Sequence, residues 1–475
     1  MKVVTRIARE EWRFLFRDRV AVVGLSLLAV LMLAAALNAW EHQRNVNAER
    51  ARYQAQANHE FETQPDRHPH RVAHYGHFLF RPLNVLAAFD PGIDAYTGNT
   101  LFLEAHRQNS ANFGDVRQSS LLLRFGQLTP AFVLQVLAPL LLVFVGHAGV
   151  ARERESGTLR VLLTQGVSGR QLVLGKLLAL SGFAGLVLLP ALLALGGMAI
   201  SGQAEWLPAL LLSAGYVAWL LLWTLIVTLV SSLFACSRDA LLALLAIWAV
   251  LVILLPRWIP DVVNAAITLP TRFESEIHAK REYLALGDAH NPDDPKFAEF
   301  RDKVLKQYGV TRLEDLPVNF KGLVGMEGER QSTELFNRYA TATLDLQDRQ
   351  NRMVDGFGWF SPALALRRLS MTASGTDLDS FRRFLEQGEQ YRYGLIQRLN
   401  RLQAEQLTYA DDTNPNKENR IAHTHWQTFP PFQFAPRTAM QTWQRIAPAG
   451  GILLLWVIVL SAVILLRAGR LGRAA

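Results

Sequence analysis

The sequence holds a single cysteine, Cys236, so it has no intramolecular disulfide framework and no cysteine-based zinc cluster. Charge is also scarce: 19% of the 475 residues are Asp, Glu, Lys or Arg, against roughly 25% in an average soluble domain. No His-Glu-x-x-His motif and no deep pair of carboxylates occurs, which makes a membrane-embedded enzyme a distant third reading. A usable phosphate loop is missing too. The nearest candidate, Gly169 to Lys176, has five residues between its glycines where the motif needs four, and Leu177 stands where a Ser or Thr would hold magnesium. The apolar runs lack deep acidic residues, which argues against a proton- or sodium-coupled transporter with a carboxylate near the midplane.

Half of the residues are hydrophobic, and they are segregated into long runs. About 20 apolar residues in a helix cross a hydrocarbon core of about 30 Å. Six segments qualify: Val20 to Ala39, Leu128 to Val150, Leu172 to Ile200, Leu207 to Ala235, Ala240 to about Leu255, and Ala449 to Leu466. The expected fold class is therefore all-α: a polytopic membrane protein with six transmembrane helices and a mainly helical extracytoplasmic domain built from two insertions. Basic residues near the spans set the orientation. Lys2, Arg6, Arg9, Arg13, Arg17 and Arg19 precede span one, and Arg152, Arg154, Arg160 and Arg170 follow span two. Arg238 separates spans four and five, and Arg467, Arg470 and Arg473 end the chain. All fall on one side, whereas the short loop Ser201 to Glu205 on the other has none. Both termini are thus expected in the cytoplasm, with residues 40–127 and 256–445 outside. The net charge of +8 lies largely beside the spans, which points to a membrane surface and not to nucleic acid.

Both insertions have helical periodicity. Span one is expected to continue outward to about Gln64, followed by a loop-rich part with Pro65, Pro69, Pro82 and Pro91. In the second insertion the pattern predicts helices at Phe273–Leu286, Pro295–Tyr308, Glu327–Asp355 and Leu378–Gln406, the last two long enough to pair. Asp293, Asp294 and Asp377 supply start signals. The aromatic segment Trp426 to Pro436 is expected at the outer headgroup level.

The most informative stretch is residues 151–171, a charged exit from span two. Its short helix places Leu159, Leu162 and Leu163 on one face, and a Gly-Val-Ser-Gly turn leads into span three. Such a rigid helix at the membrane surface suits force transfer from a soluble partner; an ordinary interfacial loop with topology-setting arginines is the plainer reading. Glu153 and Glu155, then Gly157-Thr158-Leu159, Leu162-Leu163 and Gly175-Lys176, resemble the signature of ABC-2-type transporter permeases. Arg9-Glu10-Glu11-Trp12 through Arg17-Asp18-Arg19 is similar to their N-terminal elbow helix. The insertions resemble a subgroup of those permeases, through Pro69 to Gly76, Asp90-Pro91-Gly92, Tyr308-Gly309-Val310, Leu316 to Asn319, Ser361 to Leu366 and Gly375-Thr376-Asp377.

The resemblance implies that the nine residues Glu153, Glu155, Gly157, Thr158, Leu159, Leu162, Leu163, Gly175 and Lys176 couple the chain to a separate ABC ATP-binding subunit. ATP and magnesium would sit on that subunit, and no cofactor on this chain. A second permease, identical or related, would complete the assembly, with spans two and five near the dimer axis. Membrane lipid and an extracytoplasmic protein are the other expected partners, and nucleic acid is not. Two functions fit: a permease exporting cargo across the bacterial inner membrane, or a mechanical device that moves its outer helices against an envelope partner or lipid.

Seven of the 12 histidines lie between spans one and two, and His68, His70, His74 and His77 crowd into ten residues. Histidines at i and i+3, such as His74 and His77, share a helix face and suit zinc or copper. Pro69 and Gly76 argue against a regular helix there, and no carboxylate stands ready to orient the rings. The plainer reading, turn-forming histidines in a polar loop, is preferred, and no metal site is assigned. Gln135, polar at depth in span two, is the candidate for a transport path, although a hydrogen bond between helices is the preferred role. Lys176 is expected to snorkel to the interface.

Overall fold

The computed structural model describes residues 2–112 and 128–471. Met1 of the expected elbow segment, residues 113–127 of the first insertion and residues 472–475 of the tail, with Arg473, lie outside the described residues.

The protein is helical and polytopic. Among the described residues, six helices are long and apolar enough to cross a membrane: Arg19–Glu62, Pro130–Glu155, Gly169–Ile200, Trp206–Leu233, Ser237–Ala266 and Ala439–Arg470. Span four, Trp206–Leu233, is the innermost and buries Tyr216, Trp219 and Trp223 completely. Spans one, five and six turn much of their apolar surface outward. Before span one, the helix Lys2–Arg17 lies along span three, because glycines let it come close. A Cβ on Gly175 would stand 2.6 Å from Ile7, and one on Gly182 2.6 Å from Trp12.

Two spans contain wide turns, each just ahead of a proline. Span two has a π-helical segment Val133–Leu137 before Pro139, and span five has Ala249–Leu254 before Pro256. A proline ring inside an α-helix clashes with the carbonyl four residues back, and an i→i+5 turn relieves that clash. Pro256 therefore does not end the helix. Span five, expected at Ala240 to about Leu255, lies within a helix that runs on to Ala266.

Span one continues as a rod to Glu62, as its polar, breaker-free sequence predicts. The second insertion folds into helices Arg272–Ala285, Ala298–Tyr308, Phe320–Gly356 and Leu378–Gln406, and the two long ones pack together. Among the elements that were not anticipated, two matter for packing. A two-stranded antiparallel sheet, β1 (His77–Phe80) and β2 (Thr100–Leu103), leans on the rod, and the helix Pro362–Ser374 packs against spans four and six. Gly215 of span four gives that docking helix room, since a Cβ there would meet Leu369 at 2.6 Å.

The two insertions form one unit with a shared core. Phe61, Val72, Ala73 and Ala105 from the first pack with Leu395, Ile396, Leu399, Trp426 and Phe429 from the second. The aromatic segment expected at the headgroups instead folds inward. Trp426 is fully buried, and Phe432 and Phe434 pack on Phe384 of the helix Leu378–Gln406, where apolar neighbours stabilise them. Polar ties cross the same junction: Arg81 donates to the Gly375 carbonyl, Thr376 Oγ1 to the Asp90 carbonyl, and Arg392 to the Glu104 carbonyl.

Candidate functional site

The loop after span two is built from two short helices, Ala151–Glu155 and Thr158–Thr164, joined at Gly157. Gly157 has φ 75°, a left-handed conformation that costs other residues about 1–2 kcal/mol. Each charged residue before it has a defined partner. Arg154 donates to the carbonyls of Ser232 and Phe234, the open C-terminal end of span four. Glu155 accepts from the Ser237 amide and hydroxyl at 3.0 and 2.8 Å, the open N-terminal end of span five. Cation at a helix C-terminus and anion at a helix N-terminus is the pairing that helix dipoles favour. The adjacent Arg154 and Glu155 thus hold both sides of the turn between spans four and five.

Lys176 ties the other half together. Its ammonium donates to Glu11 at 2.7 Å and Glu153 at 2.8 Å, and its side chain is only 7% exposed. Where snorkelling was expected, two carboxylates meet it where it stands. Glu153 also accepts from Thr158, and Arg152 lies 3.8 Å over the Phe14 ring. The N-terminal helix, the loop and span three are thereby linked. Leu159 is buried, Leu162 and Leu163 are half-buried, and Arg160, Val161 and Thr164 face outward. Gly175 serves the close approach of Ile7. Gln135 Nε2 donates to Tyr216 at 2.7 Å, and that hydroxyl pairs with Ser370 of the docking helix at 3.0 Å. This is the helix-to-helix role preferred for it.

Residues 106–271 match the ABC-2 family transporter protein family, and residues 272–435 match a domain of unknown function, DUF3526. Neither match spans half of the chain, and together they are consistent with an ABC-2-type permease that has an additional domain. No curated protein and no solved structure matches it. The match supports a permease subunit of an ABC transporter; membrane subunits of that family are generally not catalytic, and the family implies an ABC ATP-binding partner.

In the two insertions, the histidines assort differently from their order in sequence. Pro69–Tyr75 does form a helix: Pro69 occupies the first turn, where no amide donor is needed, and Gly76 ends it at φ 83°. His70 and His74 therefore share a face at i and i+4, with Nε2 atoms 3.0 Å apart. His106, after β2, and His290, in the second insertion, complete a cluster in which one ring nitrogen of each lies within 4.8 Å of the others. His68 does not join, because it caps the helix through Nδ1 and holds Asp412 through Nε2. His77 does not join either; its buried ring packs on Phe61. His106 and His290 were not singled out from sequence.

Carboxylates do orient two of the rings, contrary to expectation. His290 Nδ1 lies 3.0 Å from Asp288, and His106 Nδ1 lies 3.5 Å from Glu329. Glu329 is buried and fixed by Arg392, which Glu389 also holds. Burial, reinforced by the neighbouring imidazoles, pushes His70 and His106 down to about 3 and lowers His74 as well. These rings are neutral at physiological pH, with lone pairs available to a ligand.

Proposed function

We propose that this chain is the permease subunit of an ATP-driven ABC-2-type exporter in a bacterial inner membrane. Its termini and the residue 151–171 loop face the cytoplasm, and it works with a second permease and separate ATP-binding subunits that hold ATP and magnesium. The observation that carries this reading is the mounting of the helix Thr158–Thr164. Its outer face, with Arg160 and Val161, is open to a partner, while the loop behind it is anchored to four elements. Lys176 and Glu153 lead to span three and the N-terminal helix; Arg154 and Glu155 lead to spans four and five. A push on this helix therefore reaches most of the bundle at once.

The test follows from that division between the open face and the anchors. Glu155 and Gly157 maintain the loop itself, so the informative substitutions are Arg160→Glu and Val161→Asp on the open face. The double variant should insert normally but lose the co-purifying ATP-binding subunit and the ATP hydrolysis that the membrane chain stimulates. Unchanged recovery and unchanged hydrolysis would sink the coupling role.

A mechanical reading has its own support. The docking helix Pro362–Ser374 joins the insertion unit to spans four and six, and the Gln135–Tyr216–Ser370 chain extends that link to span two. Motion of the spans would then tilt the outer unit without cargo passing between them. Gly215→Leu, which leaves Leu369 of the docking helix no room on span four, should abolish a mechanical activity and spare a translocation path confined to the spans.

A further inference from the structure

We propose that His70, His74, His106 and His290 bind one late first-row transition-metal ion, of the zinc or copper(II) class, which clips the first insertion to the second. The site lies on the far side of the molecule from the coupling loop and is independent of the function proposed above.

Three observations converge on it. The first is geometry. A tetrahedral ion with nitrogen ligands at about 2.0–2.1 Å needs those nitrogens roughly 3.3 Å apart. The His70 and His74 Nε2 atoms already stand at 3.0 Å, and all four donors lie within 4.8 Å of one another, so small ring rotations close the set. The second is an orphan. His106 Nε2 is buried without a hydrogen-bond partner, an arrangement that costs about 1–3 kcal/mol unless something else accepts the lone pair. His106 is also the one non-glycine residue with positive φ among the described residues, at 60°, so the backbone holds this ring in place at a conformational cost.

The third is the surrounding shell. Asp288 and Glu329 stand at Nδ1 of His290 and His106, which leaves Nε2 of each ring as the donor toward an ion. Carboxylate-oriented imidazole is the usual arrangement around a bound metal, where it fixes the tautomer and raises ligand basicity. Arg392 prevents Glu329 from swinging inward as a competing ligand by holding its other oxygen. Four imidazoles without thiolate suit zinc, copper(II) or nickel(II) better than calcium or magnesium, which prefer oxygen. His74 and His290 are exposed, so the site opens to solvent on that side.

The test uses the full-length protein in detergent, purified without a polyhistidine tag, stripped with a chelator and desalted. Titration with zinc chloride, and separately with copper(II) chloride, should load about one ion per chain and raise the melting temperature. Cobalt(II) should give the visible bands of a nitrogen-ligated, low-coordinate ion. His74→Ala with His290→Ala should weaken loading by at least about ten-fold, and so should His290→Ala alone, a surface loop change that leaves the buried network intact. His278→Ala, exposed and outside the cluster, should behave as wild type. No retained zinc or copper in the wild-type chain, or wild-type retention in both His290 variants, would overturn the site. Equal loss in His278→Ala would reduce the binding to adventitious surface histidine.

Discussion

His77 shows how a single residue's surroundings become a measurable property of the whole outer unit. Its ring is 4% exposed, packs against Phe61 and Tyr391, and is pushed by burial down to about 4. Between pH 6.5 and 4 the unfolded chain therefore takes up a proton that the folded chain refuses. Stability is unaffected above pH 6.5 and falls by about 3 kcal/mol as pH drops to about 4. The melting temperature of the wild type should fall more steeply than that of His77→Phe across this window, and the two should run parallel outside it. Parallel curves throughout would mean that the ring is not held neutral. The same loop shows what sequence spacing conveys at this scale. His70 and His74 were among the four candidates crowded into residues 68–77, but the pair singled out by spacing was His74 and His77, because a helix from Pro69 was not expected. His106 and His290 were not candidates, since nothing local says that a turn after β2 and a loop in the other insertion meet at that helix. The ion pairs of Lys176 were not legible for a related reason: its partners Glu11 and Glu153 come from two other elements.

At the scale of elements, the helices that could be read were those with long periodic faces and marked ends. Leu378–Gln406 begins at Asp377, which caps Ser380, and ends as predicted. The docking helix was missed because it is buried on most sides yet only 13 residues long, too short for a span, and Arg367, Arg368, Ser370, Thr372 and Ser374 interrupt its apolar pattern. The strands, four residues each, carry too little alternation to register. Span five looked finished at Pro256 because a π-turn leaves no compositional mark. Glycine placement was visible in sequence, but its purpose was not: Gly175 and Gly182 form the track on which the N-terminal helix rests. Gly175→Leu should lift that helix, since Ile7 and the Val4 carbonyl occupy the needed space. Spin labels at Arg9 and Leu178 should move apart in that variant. Gly185→Leu, where nothing lies within 4 Å, should leave their distance unchanged. An unchanged distance in Gly175→Leu would mean that the helix is not seated there.

At the scale of the molecule, the physical unit and the family boundaries part company. The DUF3526 match spans 272–435, yet its core is closed by residues from outside it. Phe61, Val72, Ala73 and Ala105 cover Leu395, Ile396 and Leu399. The His106 amide satisfies Glu329, and the Glu104 carbonyl satisfies Arg392. Residues 272–435 alone would therefore expose an apolar face and leave a buried Arg–Glu network short of partners. Losing a hydrogen bond to a charged group of this kind costs about 1.5–3 kcal/mol, a large share of the stability of many domains. The isolated segment should show helical far-ultraviolet dichroism but little near-ultraviolet signal and no cooperative melting. Joining residues 40–112 to it should restore both. A cooperative transition in 272–435 alone would mean that the first insertion merely decorates a self-sufficient domain. If the transition needs both pieces, the outer unit is held by the rod of span one, by span five, by span six and by the docking helix on span four. Any rearrangement of the spans must then move it as one body.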